Sequence, residues 1–478
     1  MNKGLQSRIH IQKRLRHWAS VSLCVVLLMG CTMVGPDFQK PEMALPAAYS
    51  ESTAGRQTPA IAQEIDRWWT SFHDQLLSSL VERAAVSNLD IKLADARIRQ
   101  ARAVRAAANA GASPTLDMKA RYSRNESQPE GFSSQYQGGF DAGWEVDFFG
   151  RVRRNVEAAE ADLEAASEAR RNALVILSAE VVRNYIELRA LQQRIVIARQ
   201  NLEAQKRSAE LTRQRFSAGL VSRLDVVNAE AQLASLASQL PLFEASARQT
   251  MHAIAILIGL EPGALVEELS QPEGITAVTT LAVPTGIPSD LLRRRPDIRR
   301  AEALIHAATA RIGVATADLF PKITLSGFLN LQGDTVNSLF DWTNRLLSFG
   351  PQASWPLFDS NRVGASIEQQ KALEEQAFIT YQQTVLTALQ EVEDALAASK
   401  HEEERRKSLQ QAVQANRKAV ELAITLYIAG QTDYLNVLQA QRSLYSSEDS
   451  LSQSELAMAT NLVSLYKALG GGWEISGE

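Results

Sequence analysis

Arg215-Phe216-Ser217-Ala218-Gly219 and Leu426-Tyr427-Ile428-Ala429-Gly430 stand 211 residues apart in a chain of 478. The same offset pairs Leu224 with Leu435, Val226 with Val437, Ala229 with Ala440 and Gly259 with Gly470. Upstream it pairs Trp144 with Trp355 and Arg151 with Arg362. Nearer the start, Asp90-Ile91 matches Asp297-Ile298 and Pro114 matches Pro321, at an offset of 207. The register therefore changes once, by four residues, between Pro114 and Trp144. One unit is written twice. The ungapped match from Trp144 to Gly259 implies duplicated long helices, in which an insertion would break the packing.

Each unit reads helix, strand, strand, long helix, helix. No Pro or Gly occurs from Arg151 to Phe216, and Leu174, Leu177, Val181, Tyr185, Leu188, Leu191, Ile195, Ala198 and Leu202 recur at spacings of three and four. That is a narrow seam of the coiled-coil kind. At 1.5 Å per residue such a helix is roughly 90–100 Å long. Arg362 to Tyr427 reads as a second helix of the same kind. Gly219 and Gly430 break the two helices, and a return helix follows each. Apolar residues make up 45% of the chain but aromatics only 6%, a composition that suits long, closely packed helices better than a bulky globular core.

Four strand-like runs lie between the helices. Leu116, Met118, Ala120 and Tyr122 alternate with Asp117, Lys119 and Arg121. Phe140, Ala142, Trp144, Val146 and Phe148 alternate with Asp141, Gly143, Glu145 and Asp147. Ile323, Leu325, Gly327, Leu329 and Leu331 alternate with a mostly polar set, and Phe349, Pro351, Ala353, Trp355 and Leu357 share one face. Runs of about ten residues, apolar on one side and polar on the other, fit transmembrane β-strands facing lipid and water. Four strands cannot close a membrane barrel of useful bore, because open edges in lipid leave backbone groups unpaired. Identical copies must supply the rest. Three copies give twelve strands and room for an aqueous lumen, although the strand count alone leaves two or four copies open.

The N-terminus reads as a targeting segment. Lys3, Arg8, Lys13, Arg14 and Arg16 form a basic region without an acid, and Val21 to Met29 is apolar but too short to span a bilayer stably. It ends in Leu28-Met29-Gly30-Cys31, which resembles the bacterial lipobox, so Cys31 is the expected lipidation site. More than one acyl chain gives a stable anchor. Cys24 falls inside the removed segment, so the mature chain holds no internal disulfide. Removal of residues 1–30 takes five basic groups from 50 Lys and Arg, set against 54 acids, and leaves a charge of −9. An acidic chain is a poor nucleic-acid binder. The Arg293–Arg300 run is no exception, since Pro296 suits a helix's first turn and Asp297 complements its N-terminus.

At this point the chain resembles the TolC/OprM family of outer-membrane factors, in its lipoprotein (nodulation-type) branch, over essentially the whole mature sequence. The resemblance rests on Cys31-Thr32-Met33-Val34-Gly35-Pro36-Asp37-Phe38, Trp68-Trp69-Thr70-Ser71-Phe72, Asn88-Leu89-Asp90-Ile91, and Arg294-Arg295-Pro296-Asp297-Ile298 with Ala301-Glu302. Asp147-Phe148-Phe149-Gly150-Arg151 and Phe358-Asp359-Ser360-Asn361-Arg362 resemble the family's two strand-to-helix junctions. The resemblance implies a homotrimer with a twelve-stranded outer-membrane β-barrel, four strands per chain, continued by a periplasmic α-helical barrel. It also implies a periplasmic adaptor (membrane fusion) protein and an inner-membrane pump as partners, beside outer-membrane lipid. The expected divisions are a signal peptide (1–30), a lipid-anchored extended segment (31–70), first-repeat helices (71–113), a first membrane β-hairpin (114–149) and a first long helical hairpin (150–260). An equatorial connector (261–289), a second-repeat helix (290–320), a second membrane hairpin (321–359), a second long helical hairpin (360–470) and a tail (471–478) follow.

No catalytic constellation is present. The histidines are scattered, and Gly470-Gly471-Gly472 follows a helix rather than a strand, so it is no phosphate loop. Neither an enzyme activity, a metal nor a cofactor is expected. The family resemblance instead directs attention to the hairpin tips, where Gly219, Leu220, Ser222, Gly430 and Gln431 would meet the adaptor. Leu435, Gln439 and Arg442, spaced by four and three, share a helix face. In the family the matching face closes the pore, commonly with an acid where Gln439 stands. With that acid absent, Asp225 is the candidate substitute. Three readings result: an efflux duct for small toxic compounds, a duct for secreted polypeptide (type I), and a lipid-anchored coiled-coil scaffold without a pore. The amphipathic strand pairs argue against the scaffold, and the lipoprotein signatures favour the first duct by family analogy.

Overall fold

The computed structural model describes residues 33–51, 65–129, 131–271 and 288–474. Cys31 and the signal peptide, and most of the connector, lie outside the described residues. In chain order the helices are α1 (Gln75–Ser87), α2 (Leu89–Ala110), α3 (Arg151–Ser217), α4 (Arg223–Leu257), α5 (Val266–Leu269), α6 (Pro288–Arg294), α7 (Pro296–Ala317), α8 (Val336–Leu339), α9 (Arg362–Ile428) and α10 (Tyr434–Ala468). The strands are β1 (Thr115–Ser127), β2 (Gly131–Val146), β3 (Lys322–Gly333) and β4 (Arg345–Ser354). Two units form: one from the N-terminal residues to Glu42 with Arg97–Ser167 and Arg300–Gln382, the other from Met43–Ala96, Glu168–Arg299 and Gln383–Glu478.

The first unit carries one antiparallel sheet in the order β1-β2-β3-β4, so β1 and β4 are its edges. The alternation in sequence is realised side by side: Met118 faces Phe140, Phe140 faces Leu329, and Leu329 faces Leu347. These side chains share one face, and Leu116, Met118, Phe140, Leu347 and Phe349 are exposed on it. An apolar sheet face of this extent belongs against lipid rather than water. The other face carries Asp117, Lys119, Asp141 and Glu145, with Lys119 and Asp141 paired at 2.8 Å.

Two strands end earlier than their sequence pattern suggests. β2 stops at Val146, where the Phe148 N–H turns back to the Val146 carbonyl at 2.9 Å, so Phe148 lies past the strand. β4 stops at Ser354 and leaves Trp355 and Leu357 beyond it. Trp144 and Val146, their counterparts in the first repeat, are held in strand by pairing with Leu325 and Ile323 of β3. Among the described residues, those after Ser354 have no such neighbour.

Small side chains let the helices of this unit pack closely. Ala158, Ala159, Ala161 and Ala165 of α3 are buried, as are Ala303, Ala307, Ala308 and Ala310 of α7. Arg154 of α3, 1% exposed, ties down the residues that follow the expected anchor. Its guanidinium donates to Asp37 (2.6 Å), Glu157 (2.9 Å) and the Val34 carbonyl (3.2 Å). The strap lies so close to α7 that a Cβ at Gly35, whose φ is +87°, would come 2.5 Å from the Gly313 Cα.

The second unit has a conventional core. Trp68, Trp69, Leu80, Val181, Leu188 and Ile254 are almost fully buried together, with Trp68 stacked on Tyr466 at 5.1 Å. Most of the α3 seam read from sequence is buried here, including Leu174, Tyr185 and Ala198. The family signatures turn out to be joints. Asn88 caps α2, accepting from the Asp90 and Ile91 N–H groups (2.8 and 3.1 Å) and donating to the Leu257 carbonyl (2.8 Å). Arg295, 7% exposed, donates to Asp297, to Glu391 (2.6 Å) and to the Ala468 carbonyl at the end of α10 (2.9 Å). The basic run is therefore a buried joint at this residue.

Candidate gate and docking tips

The first tip is built by a helix-ending turn. The Gly219 N–H donates to the Phe216 carbonyl and the Leu220 N–H to the Arg215 carbonyl, both at 2.9 Å. At the second tip the Gly430 N–H donates to Tyr427 (3.0 Å) and the Gln431 N–H to Leu426 (2.9 Å). The bonds match residue for residue at the offset of 211. Gly219 has φ +70° and Gly430 φ +73°, the left-handed region that glycine enters without steric cost. A Cβ at either would meet nothing within 4 Å, so these glycines serve the turn while their open side faces away from the chain.

The two return helices start differently. Ser222 and Asp225 form a reciprocal cap on α4: the Ser222 hydroxyl accepts from the Asp225 N–H (3.3 Å), and the Asp225 carboxylate accepts from the Ser222 N–H (3.0 Å) and hydroxyl (2.9 Å). On α10 the equivalent position is Asp433, which makes no side-chain cap bond. A cap of this kind contributes about 1 kcal/mol, so the helix that carries the candidate gate is the less firmly started of the two.

On α10, Tyr434, Val437 and Leu438 are buried while Leu435, Gln439 and Arg442 are exposed. Leu435 is 61% exposed, and its repeat partner Leu224 is 67% exposed. The expected gate residues therefore do share one outward face. Asp225 does not join them within the chain, because its carboxylate caps α4. Arg442 bonds elsewhere, its Nε donating to Gln232 Oε1 of α4 at 2.7 Å.

A polar clasp between the two hairpins surrounds this face, and sequence reading did not anticipate it. Arg215, in the last turn of α3, donates to the Ile428 carbonyl at 3.0 Å and stacks over the Tyr427 ring at 4.8 Å. Tyr434 Oη accepts from Gln205 at 3.2 Å, and Tyr445 donates to Gln239. Further up, Arg194 pairs with Asp449 at 2.8 Å. Burial pushes the Tyr427 and Tyr445 phenols above their ordinary range, so both stay neutral and Tyr445 keeps the proton it donates to Gln239. Behind the clasp lies a cavity of about 290 Å³, lined by Gln205, Ser208, Leu211, Leu236, Ile424 and Gln441 among others. The hairpins thus meet through a small buried cluster of Ala209, Ala229, Tyr427, Tyr434, Val437 and Leu438, with directional bonds and a gap beside it. One sequence signal was a departure from the repeat, Tyr427 standing where the first tip has Phe216.

Among the described residues no group of His, Cys, Asp and Glu is arranged to hold a metal ion. What the arrangement does is join the two hairpins.

Known proteins agree with this architecture. The family model described as outer membrane efflux protein matches residues 80–260 and 287–471, one match per repeat. Nodulation protein T of Rhizobium leguminosarum bv. trifolii is 34% identical over 460 residues, covering 94% of this chain and 96% of the relative. The toluene efflux pump outer membrane protein TtgC of Pseudomonas putida is 32% identical over 464 residues, 95% of each chain. The solved outer-membrane channel OprN is 39% identical, with a TM-score of 0.86 over 92% of this chain and 99% of that one. OprN is an outer-membrane channel and TtgC an efflux-pump outer membrane protein, and this chain likewise lies in the outer membrane. By its two repeats, its four-stranded sheet and its long helical hairpins, the chain belongs to the outer membrane efflux protein family.

Proposed function

We propose that three copies of this chain close a twelve-stranded barrel and pass small toxic compounds from an inner-membrane pump and periplasmic adaptor to the exterior. The observation that carries this reading is a sheet with one apolar face and two open edges, which lipid tolerates only when further copies pair with those edges. The relative named for toluene efflux supports small apolar cargo over polypeptide. The duct holds no energy source of its own, so cargo selection falls largely to the pump.

The tips dock the adaptor. Their glycines present open backbone, and Leu220, at 65% exposed, adds an apolar contact beside Gly219. Replacing Gly219 or Gly430 by Trp is expected to block export while the assembled protein stays in the outer membrane. Asn in the same positions, which tolerates the left-handed conformation, should retain export. Normal drug susceptibility in cells carrying either Trp variant would show that docking does not need a close approach there. Crosslinking in cells from Leu220 should recover an adaptor, and recovery of a polypeptide-secretion partner would favour the second duct.

Cys31 anchors the mature chain through lipid, on the reading of Leu28-Met29-Gly30-Cys31. Cys31→Ser should lose all labelling by a fatty-acid probe; persistent labelling would rule the site out.

A further inference from the structure

The repeat extends into the sheet residue by residue. β1 maps onto β3 by the offset of 207 and β2 onto β4 by 211. Thr115 faces Gly143, and their counterparts Lys322 and Ser354 face each other as well. The tryptophans obey the same rule: Trp144 Nε1 donates to the Ala112 carbonyl at 2.9 Å, and Trp355 Nε1 to the Leu319 carbonyl at 3.0 Å. The four extra residues of the second repeat are taken up in the loop between β3 and β4. The seam between repeats inside one chain, β2 against β3, is thus a template for the seam between β4 and the β1 edge of another copy.

Applying the two offsets to that template fixes a register. Trp144 opposite Leu325 becomes Trp355 opposite Met118 of the partner subunit, and Phe140 opposite Leu329 becomes Pro351 opposite Tyr122 of the partner subunit. Every apolar side chain then stays on the lipid face, which a slip of one residue would reverse. Trp355 and Leu357, left past the end of β4 in a single chain, gain the strand neighbour that Trp144 and Val146 already have.

The charges at this seam are exchanged. In the template, Glu145 of β2 takes Arg151 through two bonds of 2.6 and 2.8 Å and Lys322 at 2.9 Å, directly across from Thr324. At the seam between copies, Pro356 stands in the place of Glu145, and Asp117 of the partner subunit stands in the place of Thr324. The acid has crossed to the other strand. Arg362, the counterpart of Arg151, is exposed and has no side-chain partner among the described residues. Its nearest acid in sequence, Asp359, accepts from the Val363 N–H at 2.9 Å. Among the described residues of one chain the Asp117 carboxylate likewise makes no side-chain hydrogen bond or salt bridge; it feels the charge of Lys119, whose ammonium is bonded to Asp141. Arg151 reaches the position of Glu145 in the template; the residue opposite that position has its Cβ about 5 Å away, which puts Asp117 of the partner subunit within reach of Arg362.

We propose that Arg362 pairs with Asp117 of the partner subunit, and that this ion pair sets the register in which β4 of one copy joins β1 of the next. The inference rests on the assembly reading above. Its test must therefore distinguish a missing assembly from a wrong register.

Two cysteine pairs separate these outcomes in full-length protein held in native lipid, after its mass has been measured. Ala353 and Ala120 face each other across the seam in the inferred register; Ala353 and Met118 would do so only after a slip of two residues. Mild oxidation should link subunits through Ala353→Cys with Ala120→Cys, and not through Ala353→Cys with Met118→Cys. In parallel, Arg362→Glu and Asp117→Arg should each lower the temperature at which the assembly dissociates, and the double reversal should restore it. Linking through the second pair, or no restoration by the double reversal in an intact assembly, would overturn the register. A protein that stays monomeric in lipid would overturn the assembly reading and the register with it.

Discussion

Leu435→Ser combined with Arg442→Ala is expected to raise single-channel conductance in a planar bilayer and to sensitise cells to large antibiotics. Leu435 is an exposed leucine on the α10 face that points away from its own chain, and a ring of such residues stops ions by dewetting. Serine would let water in. Arg442 holds α10 to α4 through Gln232 at 2.7 Å. An exposed bond of this type contributes about 1 kcal/mol, so its loss should shift the closed-to-open ratio roughly fivefold. If Leu435 forms the constriction proposed here, the two changes act on the same step, one on that ring and one on the bond that holds its helix to α4. Unaltered conductance in the double variant would place the constriction on another ring.

The second large effect is on stability. Arg295→Ala removes the guanidinium that joins Asp297 and Glu391 and caps the Ala468 carbonyl. Breaking a buried pair by deleting one partner costs about 3–5 kcal/mol. The lower end applies here, because Glu391 is 43% exposed and keeps part of its hydration. Arg295→Lys keeps the charge but not the fork that serves three acceptors at once, so it should fall between wild type and Ala. Thermal unfolding followed by circular dichroism checks the order. Equal stability of all three proteins would show that the joint contributes no net stability.

The repeat and the strand pairs were legible because both are one-dimensional patterns. Apolar alternation from Leu116 to Tyr122 and from Phe140 to Val146 fixes the faces, and Gly219 and Gly430 mark the helix ends. What escaped reading depends on tertiary neighbours. Asp225 was an attractive gate acid on the first tip, yet the spacing Ser222-x-x-Asp225 is itself a capping pattern, and the local bond wins because it forms within a single turn. Gln232, Gln239 and Tyr445 carried no signal as partners for the second hairpin, since a neutral polar residue on a helix face is ordinarily solvated. β4 ends before Trp355 and Leu357 for a different reason: in the register proposed above, the second neighbour that would extend this strand belongs to another copy.

The central claim is that one chain is a third of a pore. Mass measurement of the purified protein in native lipid, joined to bilayer recording on the same sample, tests it most directly. The account predicts three copies per particle and conductance only from that particle. A stable monomer with full channel conductance would contradict it.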